Sequence, residues 1–358
     1  MSDVATFPAE ALHSAVRSDP GRVRTNNEDV PLVDTLRGVY GVIDGVGGHA
    51  AGEVAAAIAG DVILQRLARP IGTPGERVRE AIAIANNEIF RRAEESPDLH
   101  GMACVITLAI VTDGRLTIGH VGDSRLYKLR AGSLRKLTHD HSPVGEREDA
   151  REMSEAEAMR HPRRNEVFRD VGSAYRDKDE QDFVEVIDEP FERDAAILLC
   201  TDGLTDMVPS GRIESIVRHY AGRPDEIVDA LIAAANEAGG KDNVTVVYAE
   251  APEFARAIRR TEAASGSLEP MPPLDPDRPE STSAGRASAV RPPGPVTRIG
   301  RAVVRSRPMW FALGALAGVI AALALVWRLG GWTLIPPRVL VVGGSEAGAF
   351  VSIADAMS

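Results

Sequence analysis

Cysteine is scarce in this chain. Cys104 and Cys200 are the only two in 358 residues, and both sit inside apolar runs. That excludes a disulfide framework and predicts two buried core thiols in a reducing compartment. The first residues, MSDVATFPAEALHSAV, lack the basic-then-apolar layout of a signal peptide. No internal repeat is visible. Lysine is missing from residues 251–358, where 12 Arg stand against 8 Asp and Glu. Of the 41 basic and 52 acidic residues in the chain, 29 and 44 therefore fall in 1–250, a net charge of −15. A segment that acidic is a poor nucleic-acid binder, and its field suits capture of cations.

The shift in composition near Ala251 predicts one folded domain, residues 12–250, followed by a tail. Residues 251–308 are rich in Pro, Ser, Glu and Arg and cannot bury enough apolar surface to fold. As a disordered linker they would reach about 40–45 Å. Residues 309–327 (MWFALGALAGVIAALALVW) are uncharged throughout. As a helix they would span about 28 Å, the hydrocarbon thickness of a bilayer. Trp310 and Trp327 stand at its ends as interfacial anchors would, and Gly314 and Gly318 have the spacing of a helix-dimer seam. Arg298, Arg301, Arg305 and Arg307 crowd the N-terminal flank, which places that flank and the folded domain in the cytoplasm. Residues 328–358 would form a short extracytoplasmic tail, whose FVSIADAM stretch looks like the opening of a truncated β-helix module.

Within 12–250, strand-like runs pair through tight turns and helices come in blocks, an α+β pattern rather than a βαβ winding. Expected strands fill 13–43. A helix follows from Gly52 to Leu67, and Thr73 and Glu76 form a capping box opening a second helix to Glu95. Hairpins are expected around Asp113-Gly114 and Ala131-Gly132. The charged stretch 139–180 reads as a mobile surface insertion with one short helix capped by Ser154 and Glu157. Strands near 183–187 and 195–200, helices at 210–220 and 224–238, and a last strand at 244–249 complete the domain.

Three aspartates share one setting, at the end of an apolar run and before Gly or Asn: Asp44 in VYGVIDGVGGH, Asp202 in AILLCTDGLTD and Asp242 in GGKDNVTVVYA. Strand ends let a rigid sheet converge distant side chains. Two unit charges about 4 Å apart repel by roughly 4 kcal/mol even at an effective dielectric of 20, so clustered carboxylates imply an oxygen-rich divalent-metal site. Two further acidic clusters stand out, Asn26-Asn27-Glu28-Asp29 after Arg24 and Gly122-Asp123-Ser124-Arg125 at a strand end.

The series RSDPGRVRTNNED, VIDGVGGHAAGE, GHVGDSRLY, LLCTDGLTD and GGKDNVTVV resembles, motif by motif and in order, the bacterial metal-dependent Ser/Thr protein phosphatases of the PPM or type 2C family. The resemblance implies a four-layer sandwich, two antiparallel β-sheets flanked by α-helices, binding two Mg²⁺ or Mn²⁺ ions with a weaker third. Asp44 corresponds to the ligand bridging two metals, and Gly45 to a carbonyl ligand. Asp202 and Asp242 would complete the first site, and Glu28 would hold the second through water. Asp123 corresponds to a ligand of the third ion and Arg24 to the phosphate-binding arginine, while Asp29 and Asp206 would orient ligands or metal waters. The implied chemistry is hydrolysis of phosphoserine and phosphothreonine in cytoplasmic proteins by a water activated on the metal pair. Ser/Thr kinases and the forkhead-associated-domain proteins they modify are the implied partners.

One position departs from many eukaryotic members: Val46 stands where they have a histidine thought to protonate the leaving group. His49 is expected to cap or pack, and no general acid is assigned. His120 and His139-Asp140-His141 suggest zinc, but a His-Asp-His loop is more often polar surface. Two other function classes compete, a non-catalytic phosphatase-like scaffold or sensor and a phosphatase of small esters. A missing ligand would favour the first, and none is missing; the charged 139–180 insertion speaks against the second.

Overall fold

Alternation along the strands decides the layering. In strand β4 (Ala103–Thr112), Ile106, Leu108 and Ile110 join one apolar cluster while Ala109 and Val111 join another, as the two-residue period of a strand requires. Both faces of the sheet are therefore covered, which is why the sequence shows a continuous apolar run where a half-exposed strand would alternate. The structure, a computed structural model, describes residues 11–47, 51–177, 180 and 182–265. The expected span at 309–327, the Gly314/Gly318 seam, the tail 328–358, most of the linker and His49 lie outside the described residues. Among those described, no helix is long and apolar enough to cross a membrane.

One five-stranded sheet has the order β2 (Asp29–Asp34), β3 (Val39–Val46), β4, β5 (Arg115–Val121), β8 (Glu185–Pro190). The other runs β1 (His13–Asp19), β10 (Val244–Glu250), β9 (Ala195–Cys200), β6 (Arg125–Arg130), β7 (Ser133–Lys136). Every pairing is antiparallel. Tyr40, Val42, Leu116, Ile118, Leu126, Ile197, Leu199 and Val247 fill the space between the sheets. Helices α1 (Ala51–Leu67) and α2 (Pro74–Glu95) cover the outer face of the first sheet through Ile63, Ile82 and Ile89. Helices α6 (Ser210–His219) and α7 (Pro224–Glu237) cover the second through Ile213, Val217 and Leu231. Each such side chain contributes about 1.5–3 kcal/mol on burial.

Local chemistry agrees with this arrangement. Thr73 and Glu76 make the reciprocal bonds of a capping box, Glu76 N–H to Thr73 Oγ1 at 3.3 Å and Thr73 N–H to Glu76 Oε2 at 2.8 Å. The β4–β5 turn has positive φ at Asp113 and Gly114, the conformation that matches the twist of a two-residue hairpin.

Four expectations change. The segment 139–180 holds two short helices, α3 (Pro143–Asp149) and α4 (Glu155–Ala158), where one was expected. Its first part is tied down and not a mobile surface insertion: Arg125, a tenth exposed, meets Asp140 at 2.6 Å and Glu148 at 2.7 Å. Strand β8 is shifted from the expected 183–187 to Glu185–Pro190, since its pairing with β5 runs from Glu185 opposite His120 to Pro190 opposite Arg115. Beyond Ala251, where linker was expected, Phe254–Ser265 form helix α8, with Phe254 and Ile258 buried in the α6–α7 cluster. Two well-spaced apolar residues suffice to fold a segment whose composition is otherwise that of a linker.

Phe254→Ala should therefore destabilise the domain by about 3–5 kcal/mol and lower its Tm by about 10 °C. A chain ending at Glu250 should melt below one ending at Ser265. Equal melting temperatures in a thermal scan would show that α8 contributes nothing.

Candidate metal centre

Register places the acidic residues at one rim. In the first sheet Asp29 pairs with Asp44, and Asp44 with Val105. In the second, Asp19 pairs with Val244, and Cys200 pairs with both Val246 and Arg125. These rows are the ends at which the chain crosses between sheets, through 20–28 after β1 and through Gly122-Asp123-Ser124 between β5 and β6. The crossings carry Arg24, Glu28 and Asp123, while β9 ends just before Asp202, which opens the one-turn helix α5 (Asp202–Thr205), and β10 begins just after Asp242. Alternation then aims the side chains. Asp44 shares the face of Tyr40 and Val42, so it points between the sheets, and its cross-strand partner Asp29 points there too.

The same alternation brings Thr201 and Thr245 to the inner face of the second sheet. Thr201 Oγ1 donates to Asp29 Oδ2 at 2.9 Å and accepts from the Thr245 amide at 3.0 Å. The other oxygen of Asp29, Oδ1, is buried with no protein partner. Burial pushes Asp29 up to about 7, against the opposing effect of the Thr245 and Thr201 hydroxyls and with smaller help from Asp202 and Asp242, while burial and then the neighbouring carboxylates, Asp29 first, raise Asp44 well above the usual range. Asp123 is pushed up to about 8 by burial, then by Asp202 and Asp140, and Asp202 is raised by burial and then Asp242. Glu28 is raised by burial, against the opposing effect of Arg24. Carboxylates that repel one another in this way, with a buried oxygen left over, fit a divalent cation.

Asn243 fixes the crossing loop. Its Oδ1 accepts from the Glu28 amide at 2.9 Å, and its Nδ2 donates to Asn26 O at 2.8 Å and Pro20 O at 3.1 Å. The Asp-Gly pairs have a steric cause: a Cβ on Gly203 would lie 1.9 Å from Asn243 O, and one on Gly45 would lie 2.3 Å from Gly52 O. Only glycine lets these backbones meet next to Asp202 and Asp44. Arg24 stands half exposed at the rim with its Nη2 2.8 Å from Asp242 Oδ2. Val46 is exposed beside Asp44 and Gly45.

From the 139–180 flap, Arg164 pairs with Asp206 and lines a recess together with Asp123, Asp202 and Asp206. The flap is also latched to the N-terminus of α6, where Glu155 accepts from Ser210 N–H at 2.7 Å and from its hydroxyl at 2.8 Å. Of His139-Asp140-His141, expected as polar surface, only His139 is exposed; Asp140 and His141 are buried, because Asp140 is the partner of Arg125 and His141 stacks on buried His120. Thus Glu28, Asp29, Asp44, Asp123, Asp202, Asp206, Asp242 and Arg24 all gather at one rim. Asn243, Thr201, Thr245 and Arg164 were not singled out in the sequence. Asn243 and the two Thr stand at inner-facing positions at the ends of apolar runs, a signal available in the pattern. Arg164 gave none within a charged stretch.

The model of the protein phosphatase 2C family matches residues 25–230. This chain belongs to the protein phosphatase 2C family. It is 38% identical over 247 residues to the serine/threonine phosphatase stp of Listeria monocytogenes, covering 67% of this chain and 96% of the relative. Identity to the serine/threonine protein phosphatase PstP of Mycobacterium tuberculosis is 32% over 333 residues, 89% of this chain and 60% of PstP. A crystal structure of that PstP superposes with a TM-score of 0.61 at 33% identity, covering 67% of this chain and 98% of that one. The PstP catalytic domain in complex with two manganese ions gives 0.59 at 32% identity, covering 67% and 97%. This protein phosphatase 2C is a protein-serine/threonine phosphatase and acts on phosphorylated proteins.

The raised carboxyls make the stability of this phosphatase 2C domain depend on pH and cations. With Asp29 raised to about 7 and Asp123 to about 8, against about 3.9 when unfolded, the folded state holds extra protons between those values. Stability of the metal-free protein should therefore fall as pH rises from about 4 to about 8. A saturating divalent cation, bound only by the folded state, should flatten that slope and raise Tm most near pH 8. Thermal melts in chelator and in divalent cation across this range test it; a pH-independent Tm in chelator would refute it.

Proposed function

We propose that this phosphatase hydrolyses phosphoserine and phosphothreonine in cytoplasmic proteins using two divalent cations, Mn²⁺ or Mg²⁺, at the strand-end carboxylates. The observation that carries the proposal is the convergence of Asp29, Asp44, Asp202 and Asp242 on one rim, with the Asp29 oxygen left unpartnered. The two manganese ions of the similar PstP catalytic domain support the choice of metal. Asp44 would bridge the pair and Gly45 would offer its carbonyl. Asp202 and Asp242 would complete one site and Glu28 the other, with Asp123 reserved for a weaker third ion. When bound, the ions activate water and neutralise charge on the phosphoryl group.

The chain's own residues then have defined work. Arg24, half exposed beside Asp242, holds a fork of donors at the mouth of the site, suited to gripping phosphate oxygens. Asp29, braced by Thr201 across the sheets, orients what binds at Asp44. Asn243 keeps Glu28 and Arg24 in register with Asp242. The flap, held at Ser210 and Asp206, forms one wall against which a protein substrate would lie. Residues 309–327 would anchor the enzyme in the membrane with this domain in the cytoplasm, where Ser/Thr kinases and their substrates are found. Gly314 and Gly318 would allow dimerisation there.

Turnover of a phosphothreonine peptide should vanish in chelator and return with Mn²⁺. Asp44→Asn should cost more than about 100-fold, beyond the loss expected for an outer partner of a metal ligand. Arg24→Ala should raise KM about tenfold, the worth of one charge-assisted hydrogen bond, with the affinity for Mn²⁺ unchanged. Activity that survives exhaustive chelation would remove the metal from the mechanism. For the anchor, alkaline phosphatase fused after Ser358 should be active and a fluorescent protein fused at Met1 should fluoresce in the cytoplasm; the opposite pattern overturns the orientation.

A further inference from the structure

His120, His141 and Glu185 bring ligand atoms within 4.8 Å of one another, the look of a second metal site. Their donor atoms are already committed. His120 Nδ1 bonds Thr107 Oγ1 at 2.9 Å and its Nε2 bonds His139 O at 3.1 Å. Both Glu185 oxygens are taken by His139, Oε1 by the ring at 2.5 Å and Oε2 by the amide at 3.2 Å. His141 Nδ1 lies 3.0 Å from the Gly122 amide, and its Nε2 lies 3.0 Å from the Arg169 guanidinium. A cation would have to break several of these bonds and sit beside Arg169.

What the cluster does is hold a turn. His141 contacts Gly122 twice: its own N–H donates to Gly122 O at 2.7 Å, and Gly122 N–H donates to its ring at 3.0 Å. Gly122 has φ of +114°, and a Cβ there would lie 2.2 Å from the Cβ of Val105, so this turn has one tightly defined path. The next residue is Asp123, at the point where the chain passes from one sheet to the other. A neutral imidazole accepts at only one nitrogen. The Gly122 N–H is a buried backbone donor that cannot be redirected and points at Nδ1, so Nδ1 is the acceptor. Burial, with His120 and Arg169 adding to it, keeps the ring neutral by lowering His141 to about 3. Stacking on His120, whose ring centroid lies 4.9 Å away, fixes the plane.

We propose that His141 is a positioning residue for Asp123: by clamping both peptide groups of Gly122 it aims the carboxylate that holds the weakest of the divalent ions. The inference rests on the metal reading above. It is tested by counting bound Mn²⁺, by electron paramagnetic resonance and calorimetry, in the full-length chain and in His141→Asn, His141→Gln, His141→Ala and Asp123→Asn, with Tm recorded for each. An Asn amide oxygen lies where Nδ1 is, and a Gln oxygen nearer Nε2. The weakest site should lose about 10–100-fold in affinity in His141→Ala and His141→Gln, disappear in Asp123→Asn and stay near wild type in His141→Asn, with the two tighter sites unchanged. His141→Asn against His141→Gln decides the matter even if His141→Ala fails to fold. Wild-type affinity in His141→Gln, or equal losses in His141→Asn and His141→Gln, would overturn the proposal. A wild type that saturates at two ions overturns it while leaving the two-ion reading standing, whereas one that binds no Mn²⁺ overturns both.

Discussion

Repulsion among buried carboxylates at the open rim between the two sheets is the constraint on which the rest of this structure depends. Asp29 and Asp44 face each other across a strand pair, and Asp202 and Asp242 approach from the opposite sheet. Ionising all of these carboxyls together is unfavourable in the metal-free protein, as their raised protonation shows, and the arrangement is held by the rigid scaffold beneath it. The apolar filling between the sheets and the helices on both outer faces supply that rigidity. The site is thus an electrostatically frustrated edge on a well-packed body.

The polar residues around the rim follow from one geometric rule. Inner-facing positions are apolar through most of each strand and become polar toward the rim in three of them: Thr201 after Leu199, Thr245 before Val247 and His120 after Ile118, with Thr107 of β4 placed opposite His120. These side chains satisfy one another and Asp29 through short local bonds. Much of this was legible in the sequence. Asp44, Asp202 and Asp242 stood out because each ends or precedes an apolar run, and the hairpins at Asp113-Gly114 and Ala131-Gly132 carried their own turn chemistry. Resemblance to a known family ordered the motifs and supplied roles that spacing alone left open.

What escaped was long-range or sparse. Nothing near Arg164 in the sequence marks it as the flap residue that meets Asp206, since its partner is distant in the chain and its neighbours are equally charged. Asp140 and His141 looked like surface because charge surrounds them, yet Arg125 draws Asp140 inward and His120 stacks on His141. Helix α8 was hidden by composition: Phe254 and Ile258 are the few apolar residues at its start, and packing against α6 and α7 outweighed weak local preference. In each case tertiary contact overrode a fair local inference.

The rim carboxylates are proposed to hold divalent cations. Crystals of the domain grown with Mn²⁺, with diffraction recorded at the manganese absorption edge, test it most directly. Anomalous peaks are expected, bounded by Asp44, Asp202, Asp242 and Glu28, with Arg24 turned away from Asp242 toward the mouth of the site. Peaks confined to other positions, such as His120, His141 and Glu185, or no peaks at all at saturating Mn²⁺, would contradict it.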